Sequence, residues 1–240
     1  MEQGACHLWY WRPVLADDTL PRGIALLSPD EGVRYRRYLV PGAAATFLAA
    51  RILLRSVLSQ YAALPPAAWR FETNEFGRPH IANPDAPRGL SFNLSHKPGC
   101  VTCLIGAGRD LGVDVEDRAA SRVNFLGIAA RFFSPSETAA LRALPDTSLR
   151  QRFYELWTLK ESYIKARGVG LGLGLSRFSF SVEGDLATVR FAEGFEDRAE
   201  AWEFRLFRPD QRHVIATSIR RAAAPVVIDV IDAAQLLDSG

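Results

Sequence analysis

The sequence predicts an α+β fold, because strand-like and helix-like segments follow one another without the regular alternation of a doubly wound α/β sheet. The chain has 240 residues, of which 48% are hydrophobic and 23% are charged. This composition is typical of a globular protein with enough apolar material for one large domain or two smaller ones. We place the junction between two subdomains near residues 108–116, so that the first covers residues 1–110 and the second covers residues 111–240.

The first half of the chain is predicted to hold one long helix among several strands. Apolar residues between Phe47 and Val57 recur at an approximately helical spacing, and Leu64, Pro65 and Pro66 end the helix. The apolar runs elsewhere are short and bounded by turn residues, as is typical of strands. The predicted elements are a strand at 9–11, a helix at 43–61, a turn at 71–79, and neighbouring strands at 101–105 and 111–115 joined by a tight turn.

The second half is predicted to begin with helices and to continue with strands. Ser134 is placed to cap a helix that starts at Pro135, and Glu137 completes a capping box. The next helix meets no proline or glycine until Gly168. The predicted elements are helices at 123–133, from 135 and at 148–167, and strands at 178–182, 187–191, 202–207 and 213–219, while the placement of the apolar run 226–230 stays open.

Charge and composition argue against several classes of protein. The net charge of +2 at pH 7 is smaller than the clustered basic excess of most nucleic-acid-binding proteins. No apolar run approaches the roughly 20 residues of a membrane-spanning helix, and residues 1–11 lack the pattern of a signal peptide. Three cysteines argue against a disulfide framework, and Cys100 and Cys103 fall on opposite faces of a predicted strand as core residues. We therefore expect a cytoplasmic protein that binds neither nucleic acid nor membrane.

The basic residues point to an anionic ligand. Residues 31–55 contain five arginines and one glutamate, a local excess of +4, although solvated helix faces give the same pattern. Only three of the 29 basic residues are lysines, namely Lys97, Lys160 and Lys165. A lysine ammonium is a compact charge suited to a phosphate oxygen, whereas a guanidinium prefers bidentate partners. We therefore expect the lysines to face phosphate.

Two carboxylates alternate with valines on the strand that begins at Leu111. Asp114 and Glu116 share one face of that strand, and their mutual repulsion is relieved if a cation lies between them. Oxygen ligands of this kind suit Mg²⁺, which completes its coordination with water and substrate phosphate. The alternative is an exposed edge strand with an acidic solvent face.

The helix over residues 154–167 carries a third acid between two lysines. Glu161 and Lys165 are four residues apart and therefore lie on one helix face, with Lys160 adjacent. In the functional interpretation Glu161 is a third oxygen ligand and the lysines neutralise phosphate oxygens. The alternative is a surface ion pair that contributes about 0.3 kcal/mol.

Together these motifs resemble the paired signature of the 4′-phosphopantetheinyl transferases, and more specifically their long, surfactin-synthetase-activating (Sfp-like) type. The resemblance extends over residues 28–181. The segments that carry it are Gly-Val-Asp-Val-Glu at 112–116, Trp-x-x-Lys-Glu-Ser-x-x-Lys at 157–165, Phe-Gly-Arg-Pro at 76–79, Phe-Asn-Leu-Ser-His at 92–96 and Ala-Arg-Phe-Phe-Ser at 130–134.

The resemblance implies a pseudo-twofold monomer of two similar α+β subdomains, with the active site in the cleft between them. It implies that the protein transfers the 4′-phosphopantetheine arm of coenzyme A to a serine of an acyl or peptidyl carrier protein and releases 3′,5′-ADP. It also implies that the carrier protein presents an acidic helix surface. Candidates for docking that surface are Arg122, Phe125, Ile128, Arg131 and Phe132, although the apolar ones also fit the core-facing stripe of a helix.

The resemblance assigns residues to the site by position. Asp114, Glu116 and Glu161 are implied to bind Mg²⁺, or Mn²⁺ in its place, while Lys165, with Lys160 beside it, stabilises the charge of the diphosphate. The residues implied to contact coenzyme A are Arg34, Arg51, Gly77, Arg78, Pro79, Asn93, Ser95, His96 and Lys165.

The chain departs from the family pattern at the predicted adenosine end of coenzyme A. Ala45 and Thr46 stand where the family often has a basic residue, and Glu31 stands where a lysine or arginine accompanies Arg34. We therefore expect the 3′-phosphate of coenzyme A to be held less tightly, or by Arg37, Arg51 or another arginine.

The predicted general base for the serine hydroxyl is Glu161, acting directly or through a metal-bound water, with His96 as the second candidate. A carboxylate bound tightly to metal is a weak base, and contact with phosphate favours the charged form of a histidine. Two other functions stay open: a non-catalytic protein of the same fold that binds coenzyme A or a carrier protein, and a metal-dependent phosphohydrolase. The three acids and two helix lysines favour the transferase, since a protein that only binds has little need for them.

Overall fold

Residues 4–13, 19–119 and 124–237 are described by a computed structural model. The chain divides into two compact units: unit 1 comprises Met1–Arg109 and Val227–Gly240, and unit 2 comprises Asp110–Val226. The predicted assignment of residues 111–240 to one subdomain is therefore wrong for residues 227–240. The reason lies in strand pairing, because the strand Val227–Asp232 runs parallel to the N-terminal strand Ala5–Trp11 and pairs with it.

The helices and strands are numbered in chain order. They are β1 (Ala5–Trp11), α1 (Thr19–Ala25), α2 (Pro29–Arg36), α3 (Pro41–Leu58), β2 (Phe71–Thr73), β3 (Pro79–Ile81), β4 (Leu90–Lys97), β5 (Cys100–Ala107), β6 (Leu111–Asp117), α4 (Phe125–Phe132), α5 (Pro135–Arg142), α6 (Asp146–Arg167), β7 (Phe178–Glu183), β8 (Leu186–Phe191), β9 (Trp202–Phe207), β10 (His213–Arg220), β11 (Val227–Asp232) and α7 (Ala234–Leu237). This mixture of helices with largely antiparallel strands confirms the predicted α+β class.

Unit 1 is built on a four-stranded sheet in the order β11-β1-β5-β4, in which only the β11–β1 pair is parallel. Apolar side chains of α3, such as Leu48 and Leu54, pack in one core cluster with Phe92 and Val101 from the sheet. The short strands β2 and β3 form a separate hairpin. Cys100 and Cys103 on β5 are both fully buried, which confirms their prediction as core residues.

Helix α3 comes closer to a membrane span than the sequence analysis allowed. Its 18 residues have a mean hydropathy of 1.3, so that by length and composition alone it could cross a membrane. However, 56% of the helix is buried inside the protein, as expected for the core helix of a folded domain. This feature is therefore only a weak indication of a membrane span.

Unit 2 is built on a five-stranded antiparallel sheet in the order β6-β10-β9-β8-β7. Helix α6 supplies the largest part of the apolar core against this sheet, including the fully buried Tyr163, whose ring lies 5.1 Å from the ring of Trp202. The helix ends at Arg167 because Gly168 takes up a left-handed conformation with φ of 66°. The predicted capping box is also confirmed, because Ser134 and Glu137 exchange both expected hydrogen bonds at the start of α5.

The predicted hairpin of residues 101–105 and 111–115 is wrong. Strand β5 pairs with β1 and β4 in the sheet of unit 1, whereas β6 pairs with β10 in the sheet of unit 2. The glycine-containing turn between them is the point where the chain leaves unit 1. Both strands are buried along almost their whole length, and a continuous apolar pattern does not specify the pairing partner.

Candidate active site

The acidic strand β6 is buried rather than exposed, although it lies at the edge of its sheet. The relative exposure of Asp114 is 4% and that of Glu116 is 9%. Both share a face with Gly112, because alternate residues of a strand point the same way. A β-carbon at Gly112 would lie 2.1 Å from the carbonyl oxygen of Ser162 and 2.4 Å from the amide nitrogen of Ala166. Helix α6 therefore lies directly on the acidic face, and the alternative of an acidic solvent face is excluded.

This close packing brings Lys165 to Asp114. The Nζ atom of Lys165 donates a hydrogen bond of 2.7 Å to Oδ1 of Asp114. The lysine side chain is 30% exposed to solvent. Glu161 is half-buried one turn earlier on the same helix, so it lies on the face that Lys165 occupies. Strand and helix thus place a cation, its carboxylate partner and a further acid in one partly accessible part of unit 2.

Hydrogen bonds at the end of α6 fix the position of this helix. Ser162 and Ser218 share a buried hydrogen bond of 2.7 Å between their hydroxyl groups. Asp197 accepts hydrogen bonds from Tyr163 at 2.6 Å, from Arg167 at 2.6 Å and from Trp202 at 2.9 Å. Burial alone would raise the pKa of Asp197, but these hydrogen bonds lower the pKa below its ordinary value. The sequence analysis missed Asp197, since nothing near it in the chain marks it as a partner of α6.

The prediction for Lys160 needs a correction. Its side chain is fully buried, and Nζ lies 2.8 Å from a carboxylate oxygen of Glu137. The same ammonium donates to the carbonyl oxygens of Leu175 at 2.8 Å and Phe178 at 2.6 Å. Its three N–H groups are therefore used inside the protein, and it does not face a phosphate. Burial lowers the pKa of Lys160, while Glu137 acts in the opposite direction.

Glu137 has a larger role than the capping box that its sequence position indicated. One carboxylate oxygen accepts from the backbone N–H of Ser134 at 3.0 Å, and the other accepts from that of Phe180 at 2.9 Å. Together with Lys160 it joins the start of α5, the middle of α6 and strand β7 through one buried cluster. The spacing of a capping box predicts only the contacts between Ser134 and Glu137, so it could not predict the contacts of Glu137 with Lys160 and Phe180.

The acidic residues have the chemistry of a magnesium site, but their side chains do not form one in this arrangement. Within residues 4–13, 19–119 and 124–237, no group of three or more His, Cys, Asp or Glu side chains is positioned to hold a metal ion. Asp114, Glu116 and Glu161 supply only carboxylate oxygens, the ligands that Mg²⁺ prefers. The donor set therefore fits a hard divalent cation, and the ammonium of Lys165 now occupies a cation position beside Asp114.

In unit 1 the predicted Gly-Arg-Pro turn is formed by residues 74–79. Gly77 has φ of 79°, a conformation open mainly to glycine. The side-chain oxygen of Asn74 accepts hydrogen bonds from the backbone N–H groups of Phe76 at 3.0 Å and Arg78 at 2.8 Å. This turn holds Arg78 and Pro79, both half-buried, at the start of β3.

The predicted Asn-x-Ser-His segment lies on β4. Asn93 and Ser95 are buried and share one face of the strand, whereas His96 is exposed and belongs to the other face. Asn93 and Ser95 are therefore able to act on one side of β4 and His96 on the other. The alternation of side chains along a strand predicts this separation, but the sequence analysis did not apply it to these residues.

Glu31, which stands where the resemblance leads us to expect a basic residue, has a structural role. Its carboxylate caps α2 by accepting from the backbone N–H of Ser28 at 3.0 Å, and it binds the buried guanidinium of Arg55 at 2.7 Å. Arg51 lies 3.5 Å from the same carboxylate. Burial lowers the pKa of Arg51; Glu31 acts against this effect and raises the pKa, while the neighbouring arginines lower it further.

Arg34 and Arg51 lie against one aromatic ring. Each guanidinium carbon is 5.2 Å from the ring centroid of Phe47. Arg34 is exposed, whereas Arg51 is half-buried. The two predicted contacts for the 3′-phosphate are thus both placed against the ring of Phe47 on α3.

Ala45 and Thr46, where the chain departs from the family pattern, lie beside Lys97 in unit 1. Both residues line a pocket of about 300 Å³ together with Gly42 and Lys97. The Thr46 hydroxyl donates to the Gly42 carbonyl at 2.7 Å. Lys97 at the end of β4 therefore brings a cation to a pocket whose described lining residues on the helix side are Gly42, Ala45 and Thr46.

Helix α4 holds four of the five residues that were predicted to dock a carrier protein. Phe125 packs in the core, with its ring 4.9 Å from that of Phe153, as the alternative interpretation expects. Phe132 is 37% exposed, and the guanidinium of Arg131 lies 5.1 Å from its ring centroid. Ile128 is half-buried against the core, and Arg122 lies outside the described residues.

Comparison with known proteins assigns the chain to a family. Residues 110–218 match the model of the 4′-phosphopantetheinyl transferase superfamily, and residues 10–107 match that of the 4′-phosphopantetheinyl transferase N-terminal region. The chain is 33% identical to the 4′-phosphopantetheinyl transferase HetI of Nostoc sp. over 89% of its length and 86% of that protein. It is 35% identical to the 4′-phosphopantetheinyl transferase Sfp of Bacillus subtilis over 71% of its length and 73% of that protein. A phosphopantetheinyl transferase of Thraustochytrium sp. is 31% identical over 93% of the chain and 80% of its own length. The chain therefore belongs to the 4′-phosphopantetheinyl transferase family.

Proposed function

We propose that the protein transfers the 4′-phosphopantetheine arm of coenzyme A to a serine of an apo acyl or peptidyl carrier protein and releases 3′,5′-ADP. Family membership supports the reaction. The structural observation that carries it is the packing of α6 on the acidic face of β6, which pairs Lys165 with Asp114 at 2.7 Å beside Glu116. The identity to HetI and Sfp supports membership of the long, surfactin-synthetase-activating type.

Unit 2 supplies the groups that handle charge during the transfer. Asp114, Glu116 and Glu161 are the proposed ligands of Mg²⁺, or of Mn²⁺ in its place. When bound, this ion neutralises the diphosphate and stabilises the charge that develops on the leaving nucleotide. Lys165 is accessible and exchanges its contact with Asp114 for a phosphate oxygen. The ammonium then remains paired with negative charge throughout, which keeps the cost of the exchange low.

Removal of the proton from the carrier serine requires a base near the diphosphate. Glu161 is our first candidate, because it is half-buried on the same helix face as Lys165 and a carboxylate that is not fully committed to the metal accepts a proton. His96 is the second candidate, since it is exposed at the end of β4. A positioned base of this kind contributes about 10²–10⁴-fold to the rate.

Unit 1 supplies the proposed contacts to the nucleotide end of coenzyme A. Arg78 and Pro79 are held by the Asn74 turn, and Asn93 and Ser95 present buried polar groups from β4. For the 3′-phosphate we propose Arg34 and Arg51, which both contact the ring of Phe47. The further proposed contacts are Gly77, His96 and Lys97.

The remaining expectations about partners and state are also proposals. We propose that an acidic carrier-protein helix docks on Arg131 and the exposed ring of Phe132, which form a cationic and apolar surface at the end of α4. We further propose a cytoplasmic monomer built of two similar subdomains. The three buried cysteines form no disulfide in the described residues, which is compatible with a reducing compartment.

One assay separates the transferase from the alternatives. The protein is incubated with coenzyme A, Mg²⁺ and an apo carrier protein, and the carrier is then weighed by mass spectrometry. A carrier heavier by one phosphopantetheine group, together with free 3′,5′-ADP, is the expected result. An unchanged carrier with hydrolysed coenzyme A identifies a phosphohydrolase, and an unchanged carrier with intact coenzyme A identifies a protein that only binds.

Asp114→Asn is the matched variant for this assay. It preserves the size of the side chain but removes the charge that the proposed metal and Lys165 require. We expect loss of transfer with retention of the fold, measured by circular dichroism. Full transfer by Asp114→Asn contradicts the assigned site.

A further inference from the structure

The ion pair between Lys165 and Asp114 involves one of the proposed metal ligands. Nζ of Lys165 lies 2.7 Å from Oδ1 of Asp114, a distance typical of a charge-assisted hydrogen bond. The side chain of Asp114 is 6% exposed, whereas that of Lys165 is 30% exposed. The carboxylate is therefore enclosed by the protein, while the lysine stays in contact with solvent.

The position of this carboxylate is fixed by the backbone that carries it. On β6, Asp114 is in register with Ala216 of β10. Two residues earlier, Gly112 touches α6 so closely that a β-carbon there would lie 2.1 Å from the carbonyl oxygen of Ser162. The hydroxyl groups of Ser162 and Ser218 share a hydrogen bond of 2.7 Å, which joins α6 to β10. Strand and helix thus keep a fixed spacing, so that a rearrangement here is one of side chains.

The ammonium of Lys165 is carried on a flexible side chain. A lysine has a long unbranched stem, and its ammonium binds an oxygen from many directions. Lys165 belongs to the last turn of α6 and is partly exposed. The ammonium can therefore leave Asp114 for another anion without a change of the backbone.

The burial of Asp114 limits when that movement is favourable. A buried carboxylate without a cation is strongly unfavourable, so Asp114 requires either the ammonium or a metal ion beside it. A metal ion that arrives while the ammonium is still in place meets a like charge at the same carboxylate. The diphosphate of coenzyme A removes this conflict, because it offers the ammonium a second anionic partner.

We propose that Lys165 keeps the divalent cation from its site until the diphosphate of coenzyme A draws the ammonium away from Asp114. This inference rests on the proposed function and adds to it an order of binding. Coenzyme A and the cation then bind with positive coupling, in which each raises the affinity for the other by the same factor. If the ammonium leaves Asp114 in about one molecule in ten or fewer, the affinity for the cation without coenzyme A is lowered about tenfold or more.

Titration of the full-length protein with Mn²⁺, followed by the electron paramagnetic resonance of the free ion, tests the coupling without any substitution. We expect the Kd for Mn²⁺ to fall about tenfold or more when coenzyme A is saturating, after correction for the Mn²⁺ that coenzyme A binds by itself. A Kd that coenzyme A leaves unchanged overturns the proposal.

Lys165→Met tests whether the ammonium is the competitor. Without coenzyme A, this variant is expected to bind Mn²⁺ about tenfold more tightly than the unmodified protein, and coenzyme A is expected to add less to its affinity. Arg190→Met is the matched control, because Arg190 is an exposed arginine of unit 2 on β8 and its replacement removes the same charge. We expect the control to bind Mn²⁺ within about twofold of the unmodified protein, since exposed charges are screened by salt. An unchanged or weaker affinity of Lys165→Met overturns the proposal.

Two further variants locate the effect and guard against poor folding. Lys165→Gln removes the charge but keeps a donor for Asp114, and the same gain in Mn²⁺ affinity is expected from it. Adding Asp114→Asn to Lys165→Met is expected to cancel the gain, and a gain that persists overturns the role of the Lys165–Asp114 pair. The mass of the carrier reports on the proposed function separately. Transfer without the gain in Mn²⁺ affinity overturns this inference alone, whereas the gain without transfer supports the competition and overturns the proposed reaction.

Discussion

Replacing Lys160 by methionine separates a structural role for this lysine from the phosphate contact that its sequence motif predicts. Methionine keeps an unbranched side chain of similar length but leaves the carboxylate of Glu137 buried without its cation. Removing one partner of a buried ion pair costs about 3–5 kcal/mol, because the remaining charge has no partner. At about 2–4 °C per kcal/mol for a chain of this size, Tm is expected to fall by roughly 6–20 °C.

Arg205→Met is the matched control for this experiment. Arg205 also lies 2.8 Å from a glutamate oxygen, that of Glu203, but its side chain is 39% exposed whereas that of Lys160 is fully buried. An exposed ion pair contributes about 0–1 kcal/mol, so Tm of this variant is expected to fall by at most about 4 °C. The comparison isolates the effect of burial at equal distance.

Thermal unfolding followed by circular dichroism gives both values of Tm, and the mass of the carrier gives the transfer rate at a temperature where Lys160→Met is still folded. We expect the folded variant to retain measurable transfer, because Lys160 contacts Glu137 and two backbone carbonyls rather than the exterior. A variant as stable as the unmodified protein that has lost transfer refutes this reasoning and restores Lys160 as a phosphate contact.

Four further predictions concern the site and its support. Lys165→Met is expected to slow transfer by about 10²–10³-fold, as for loss of one donor to a developing charge. Lys165→Arg is expected to restore little of the transfer rate, because a guanidinium does not replace a point charge. Full activity of Lys165→Arg contradicts this role of the lysine. Gly112→Ala is expected to lower the free energy of unfolding by about 3 kcal/mol or more, since the added β-carbon would lie 2.1 Å from the backbone of α6. Gly172→Ala is the control, because a β-carbon there has no atom within 4 Å. Urea titrations measure both variants, and the control is expected to be as stable as the unmodified protein. Asp197 has a lowered pKa, so its ionised form adds to the free energy of unfolding above the ordinary aspartate pKa of about 3.9, and this contribution is lost as the pH falls below that value. Asp197→Asn is therefore expected to weaken the decrease of the free energy of unfolding at acid pH, and an unchanged decrease argues against the role of Asp197. Lys97→Met is expected to raise KM for coenzyme A with little change in kcat, and an unchanged KM removes Lys97 from the proposed contacts.

Local features of the fold could be predicted from the sequence. The capping box of Ser134 and Glu137 and the limits of α6 follow from interactions between residues that are near in the chain. The pairing of β6 with β10, and of β11 with β1, could not be predicted, because an apolar strand pattern specifies burial but not the partner. Residues 227–240 were assigned to the wrong unit because their unit depends on the pairing of β11 with β1, which are far apart in the chain.

The candidate site was predicted in part for the same reason. Alternation along β6 placed Asp114 and Glu116 on one face, and helical spacing placed Glu161 with Lys165. The sequence did not contain the position of Lys160, because adjacent helix residues differ by about 100° in direction and only the packing of α6 determines which one is buried. Glu137, its buried partner, lies 23 positions away in the chain.

We propose that Asp114, Glu116 and Glu161 bind one divalent cation beside the diphosphate of coenzyme A. A crystal structure of the protein with Mn²⁺ and coenzyme A, examined for the anomalous signal of manganese, tests this metal site. We predict one strong peak within bonding distance of carboxylate oxygens of these residues and of the diphosphate, with Lys165 turned from Asp114 to a phosphate oxygen. Coenzyme A bound with no manganese peak at these carboxylates, or with the peak at other residues, contradicts the account.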